Sequence, residues 1–183
     1  MKLFFKIFLY FLAVLFFSIN TYARIWENQE DCIKRYGKPI LINKDDDVIV
    51  FKKSVYLIVT YFFNDQDKGR RVGSIGFIKI SNKIEQNANT LSEIYKNLFL
   101  LSSVSGEEMS SNEINILLEA NSHGDTYKEQ NLDFNISQKV WKTLSDTAIY
   151  DVNSHCLLII SDRYKNVYDK KKESLEEKLL KGF

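Results

Sequence analysis

The chain has little of what usually announces a chemistry: two cysteines, two histidines, one proline and seven glycines. Cys32, Cys156, His123 and His155 include no CxxC or HxxxH pair, so no zinc finger or ribbon is encoded. His155 and Cys156 are neighbours that would point to opposite faces of a strand, which also argues against a shared metal. None of the glycines falls in a GxGxxG or GxxxxGKS/T pattern, so a phosphate-binding loop is not supported. The single proline, Pro39, and the absence of any low-complexity stretch leave no linker on which to divide the chain, and no internal repeat is visible. No GxSxG elbow accompanies either histidine, so nothing fixes a nucleophile, a base partner or an oxyanion donor. No catalytic, cofactor-binding or metal-ligating residue is assigned from the sequence.

Long apolar runs are also scarce, with one exception at the start. Lys2 and Lys6 precede an uninterrupted apolar stretch, Ile7 to Phe17, and Ser18 to Ala23 ends in small residues. This is the pattern of a secretory signal peptide over 1–23, with cleavage expected between Ala23 and Arg24. The run is shorter than the roughly 20 apolar residues of a spanning helix. Cys32 follows polar Asn28 to Asp31 and so does not mark a lipid anchor. The expected mature chain, 24–183, is exported to the periplasm or the medium as a single domain without a membrane span.

Removing Lys2 and Lys6 from the 25 basic residues leaves 23 against 24 acidic ones, a formal charge of −1. Such a balance supplies no long-range field for nucleic acid or an anionic membrane surface. What the mature chain does have is periodicity. Ile25, Trp26, Gln29, Ile33 and Tyr36 have near-helical spacing before Gly37 and Pro39, which predicts a first helix over Trp26 to Tyr36. Val48 to Phe51 and Val55 to Phe63 are rich in β-branched and aromatic residues. The second run is apolar on both faces, as a central strand would be. Asn64 to Gly69 has turn composition, and its passing likeness to a calcium loop lacks the later ligands, since Gly76 occupies the position where a glutamate is required. Val72 to Ile80 predicts the returning strand, with Gly73 and Gly76 marking a bulge or the close approach of another element.

Thr90 with Glu93 and Ser110 with Glu113 have capping-box spacing and predict two middle helices, the later one ending at Asn121 and Gly124. Val140 to Thr143, Ala148 to Val152 and Cys156 to Ser161 read as strands, with Asn153 and Ser154 turning the last hairpin. Ser161 and Asp162 would cap a terminal helix carrying Tyr164, Val167 and Tyr168. The expected class is α+β: an antiparallel sheet with an N-terminal helix, two middle helices and a C-terminal helix. Asn135-Ile136-Ser137 is a formal glycosylation sequon, and Asp45 to Asp47 and Lys170 to Lys172 read as solvated charge clusters.

Cys32 and Cys156 leave two alternatives. A disulfide between them would close most of the domain and stabilise it by roughly 4 to 5 kcal/mol in the chain-entropy model. Otherwise both are buried free thiols, packing as small apolar residues.

Three segments carry a resemblance: Glu27 to Pro39 (ENQEDCIKRYGKP), Asn112 to Gly124 (NEINILLEANSHG), and the strands around Trp141 (VWKTLSDTAIYDVNSHCLLII). Together they look like a loosely related group of short exported bacterial proteins of unknown function. Tyr36-Gly37-Lys38-Pro39 followed by strands is also similar to the helix-then-hairpin opening of the small BamE-like outer-membrane assembly proteins, without their lipobox cysteine. The expectation is a non-catalytic binding or accessory module of the envelope or secreted fraction, with a protein partner. The alternative is an exported hydrolase whose site is assembled from residues distant in sequence.

Overall fold

A computed structural model describes residues 24–45, 47–80, 105–131 and 137–170. The signal segment, the helix expected from Thr90, Asn135 and Ile136 of the sequon, and the chain beyond Lys170 lie outside the described residues. Two helices, α1 (Gln29–Tyr36) and α2 (Ser111–Ala120), accompany eight strands. These are β1 (Leu41–Asn43), β2 (Val48–Lys53), β3 (Tyr56–Asp65), β4 (Gly69–Lys79), β5 (Lys128–Gln130), β6 (Gln138–Lys142), β7 (Asp146–Asp151) and β8 (Cys156–Ser161). A third helix, α3, runs over 162–170. The strands form one antiparallel sheet in the order β1-β2-β3-β4-β8-β7-β6-β5, an α+β architecture.

That order is two meanders joined through their last strands, and a helix precedes each meander. The chain therefore traverses helix and four strands twice. The match extends to side chains: Cys32 and Tyr36 of α1 correspond to Ile114 and Leu118 of α2, and Ile75 and Phe77 of β4 to Leu157 and Ile159 of β8, by the same step along the chain. All eight are buried in one cluster. Gly76 opposite Leu158 marks the centre of the β4–β8 pairing, and Phe51 in β2 has Trp141 in β6 as its counterpart. No sequence repeat accompanies this duplicated plan. It lies in element order and burial rather than in residue identity.

The first helix begins later than its apolar spacing predicts. Trp26 has a left-handed backbone (φ 77), its N–H donates to Val72 O at 2.8 Å, and the Val72 N–H donates to Glu27 O at 2.9 Å. Backbone groups committed to β4 cannot join a helix. Asn28 is the N-cap, its side chain accepting from the Asp31 N–H at 2.9 Å. Gly37 closes the helix at φ 90 and donates to Ile33 O. The capping box at Ser110 and Glu113 forms as expected, each side chain accepting from the other residue's N–H.

β3 is central, flanked by β2 and β4. Ile58 and Phe62 join the cluster under the helices, while Leu57 and Val59 join a second cluster with Val48, Val50, Ile78, Ile80 and Cys156. The two clusters occupy opposite faces of the sheet because adjacent strand residues alternate. Cys32 belongs to the first and Cys156 to the second; both are free and buried. The edge strands β1 and β5, three residues each, were not anticipated from sequence. Among the described residues, no helix is long and apolar enough to cross a membrane.

Candidate functional site

Gly73 organises the end of the sheet where an aromatic cleft forms. In the β3–β4 register Tyr61 faces Ser74 and Phe62 faces Val72, which leaves Gly73 as the extra residue of a bulge. A Cβ at Gly73 would lie 2.3 Å from Tyr164 Cδ2 and 2.6 Å from Tyr164 Cβ. The glycine therefore serves both roles its position suggested: it interrupts the ladder and lets α3 approach.

Tyr164 is placed there by the start of α3. Its N–H donates to Ser161 Oγ at 3.1 Å, the N-cap bond expected for this helix. Arg163 ties the same turn to the β3–β4 hairpin. Its Nε lies 2.9 Å from Asp65 Oδ2 and its Nη2 3.1 Å from Asp67 Oδ2, while the guanidinium sits over the Trp26 ring at 5.7 Å. Asp65 is buried, and its other oxygen accepts from the N–H groups of Asp67 and Lys68 at 3.0 Å each. The hairpin that superficially resembled a calcium loop thus spends its carboxylates on its own turn and on α3.

The resulting cleft, of about 530 Å³, is lined by Asp45, Asp47, Tyr61, Phe63, Tyr164 and Tyr168 among others. Phe63 meets Tyr164 edge-on at 5.6 Å, and Tyr164 meets Tyr168 at 6.3 Å, so the rings form a ladder running outward. Its outer end is open: Tyr168 is 57% and Val167 46% exposed. On the opposite rim Asp47 pairs with Arg70 at 2.8 Å, and Arg70 lies over Phe62 at 4.8 Å and donates to Gln29 at 2.9 Å. Burial pushes the Tyr61 and Tyr164 phenols above their ordinary range, Tyr168 and Asp47 adding to the effect at Tyr164. Both are neutral at physiological pH, presenting ring faces and hydroxyls. Neither a histidine nor a cysteine lines the cleft. Its aromatic rings supply contact area and faces for cation–π attraction.

The residues singled out from sequence lie elsewhere. His123 (φ 52) and His155 (φ 53) each occupy the left-handed position of a turn, after α2 and between β7 and β8, a conformation in which histidine is enriched. His155 Nδ1 is 3.3 Å from the Tyr150 hydroxyl, and desolvation lowers the His123 pKa. Neither lines the aromatic cleft. Burial pushes the Cys32 and Cys156 thiols up to about 12, which leaves them protonated and unreactive. Among the described residues, no group of three or more histidine, cysteine, aspartate or glutamate side chains is arranged to hold a metal. The sequence offered one pointer to the cleft, the glycine inside a strand otherwise built for burial.

Comparison of the chain with models of known protein families, with curated proteins and with solved structures returns no match.

Proposed function

We propose that this protein is an exported, non-catalytic binding module that captures a protein partner in the aromatic cleft. The observation that carries this reading is the Phe63–Tyr164–Tyr168 ladder, which leads from the packed interior to a half-exposed tyrosine. Aromatic side chains that keep large exposed faces while rigidly held are favoured contact residues at interfaces. Asp45 on the rim, beside the aromatic ring faces, makes the cleft complementary to a segment that presents a basic side chain among apolar ones. The signal-like segment 1–23 and the resemblance to short exported bacterial proteins support the compartment.

The test places a photo-crosslinking amino acid at Tyr168 and, as a control, at Leu144, which is 92% exposed on the β6–β7 turn. Both proteins are expressed in the native host and the adducts mapped by mass spectrometry. The reading expects a single adduct from position 168 whose partner peptide carries lysine or arginine flanked by apolar residues, and its loss when Val167→Asp is added. Equal labelling from both positions, no adduct at 168, or a partner segment without a basic residue would overturn it.

A further inference from the structure

The two edges of the sheet are defended differently. β5 closes one side with Lys128, Glu129 and Gln130, the first two exposed, and charge on an edge strand discourages another strand from joining it. β1 closes the other side with Leu41, Ile42 and Asn43 and, among the described residues, pairs with β2 alone. Ile42 is 49% exposed, and Ile40, one residue before the strand, is 43% exposed. Leu41 packs against the second core cluster, so this edge is apolar on both faces. It is short and follows Pro39, but its own residues carry no charge.

The charges that flank β1 differ at its two ends. Lys38 stands exposed before Pro39. Asp45 stands exposed after the turn at Asn43, whose side chain accepts from the Asp45 N–H at 3.0 Å. Among the described residues, neither Lys38 nor Asp45 has an ion-pair partner. An edge that is basic at one end, apolar in the middle and acidic at the other is complementary to itself across a two-fold axis. Antiparallel pairing about Ile42 sets this residue against Ile42 of a second copy and lays the methylene stem of Lys44 over Ile40. The same pairing brings Lys38 of each copy to Asp45 of the other. The neighbouring registers are worse: pairing about Leu41 opposes Lys38 to Lys44, and pairing about Asn43 opposes Leu41 to Asp45. Pro39, which has no N–H, ends the ladder on one side, and the turn at Asn43 ends it on the other.

We infer that β1 is the contact surface of a two-fold dimer, in which a second copy of this chain adds its own β1 antiparallel and continues the sheet. Association through β1 stops at two copies. Each copy spends its one apolar edge and leaves β5 outermost, where charge opposes further addition. The contact involves only a few residues a side, far below the surface of a permanent dimer, so association depends on concentration. The inference goes beyond capture at the aromatic cleft and needs no other protein, although Asp45 lies on the rim of both surfaces.

Sedimentation equilibrium of the purified protein at low ionic strength is the test. The expected result is a monomer–dimer equilibrium with a dissociation constant of roughly 10 to 100 μM and no higher oligomer. Ile42→Lys changes a half-exposed side chain, and it should weaken association by about tenfold or more while melting at the wild-type temperature. Lys38→Glu and Asp45→Lys should each weaken association by about fivefold or more. An equimolar mixture of those two variants should recover the wild-type affinity, because each copy then offers the charge that the other lacks. Mixing would rescue nothing if the two residues only supported the fold. A protein that stays monomeric up to roughly 1 mM, an Ile42→Lys variant that associates as well as wild type, a mixture that recovers nothing, or growth beyond the dimer would each overturn the inference.

Discussion

Asp146 opens β7, and its backbone closes the turn from β6: its N–H donates to Thr143 Oγ1 at 3.0 Å, and its carbonyl accepts from the Thr143 N–H at 2.9 Å. Its side chain has no comparable support. The residue is 1% exposed, and neither carboxylate oxygen makes a hydrogen bond. Desolvation raises its pKa from the ordinary 3.8 to about 6; Asp162 and Asp125 add repulsion, and the nearby Ser145 side chain, outside hydrogen-bonding geometry, offsets a part. A shift of that size corresponds to about 3 kcal/mol. The folded state holds the proton more tightly than the unfolded one, so stability falls as pH rises from about 4 to about 6 and the full penalty persists above that. Asp146→Asn replaces the side chain with a neutral group of nearly the same shape. Relative to wild type, the variant should therefore gain about 3 kcal/mol more at pH ~7 than at pH ~3.5. Urea unfolding across that range, with constant m-values, measures the difference directly. Parallel stability curves would show that the carboxylate is solvated in the folded protein and would refute the reasoning.

Three further outcomes follow from the same geometry. Gly73→Ala drives a methyl into the Cβ and ring of Tyr164 and should destabilise by about 1 to 3 kcal/mol in thermal unfolding, as overpacking does. Cys32 and Cys156, with thiols pushed up to about 12, should resist alkylation near pH 8 in the native protein and react fully once it is unfolded, with no mass change on reduction. Ser110→Ala removes one half of the α2 capping box and should cost about 1 kcal/mol in denaturant unfolding.

The strands that could be found in the sequence are those buried on both faces. β3 and β4 announce themselves because a central strand needs apolar residues at every position, and Leu57 to Val59 and Ile75 to Ile78 provide them. β1 and β5 were missed for the converse reason: an edge strand of three residues, such as Lys128-Glu129-Gln130, buries too little to impose a pattern. The start of α1 was misplaced because Trp26 has helical spacing while its backbone bonds belong to β4, and side-chain periodicity carries no information about where an N–H is spent.

The duplicated plan was hidden by the same physics. Burial constrains the class of a residue more than its identity, so Cys32 can stand where the second half has Ile114, Ile58 where it has Ala148, and Phe51 where it has Trp141. Phe51 faces Ile58 across β2 and β3, and Trp141 faces Ala148 across β6 and β7, so the smaller residue of the second half lies beside the larger ring and volume is exchanged within the core rather than lost. The aromatic cleft arises where the two halves differ. The bulge at Gly73 and its partner ring on α3 have no counterpart in the register of β7 and β8, which pair without a shift. A duplicated scaffold keeps its core by keeping the same positions buried, and a departure between its halves can open a recognition surface without disturbing that core. Val167→Asp should therefore abolish partner capture at the cleft while leaving the unfolding free energy of the purified protein within about 0.5 kcal/mol of wild type, since Val167 is 46% exposed. A larger loss of stability in urea unfolding would show that the cleft and the core are coupled.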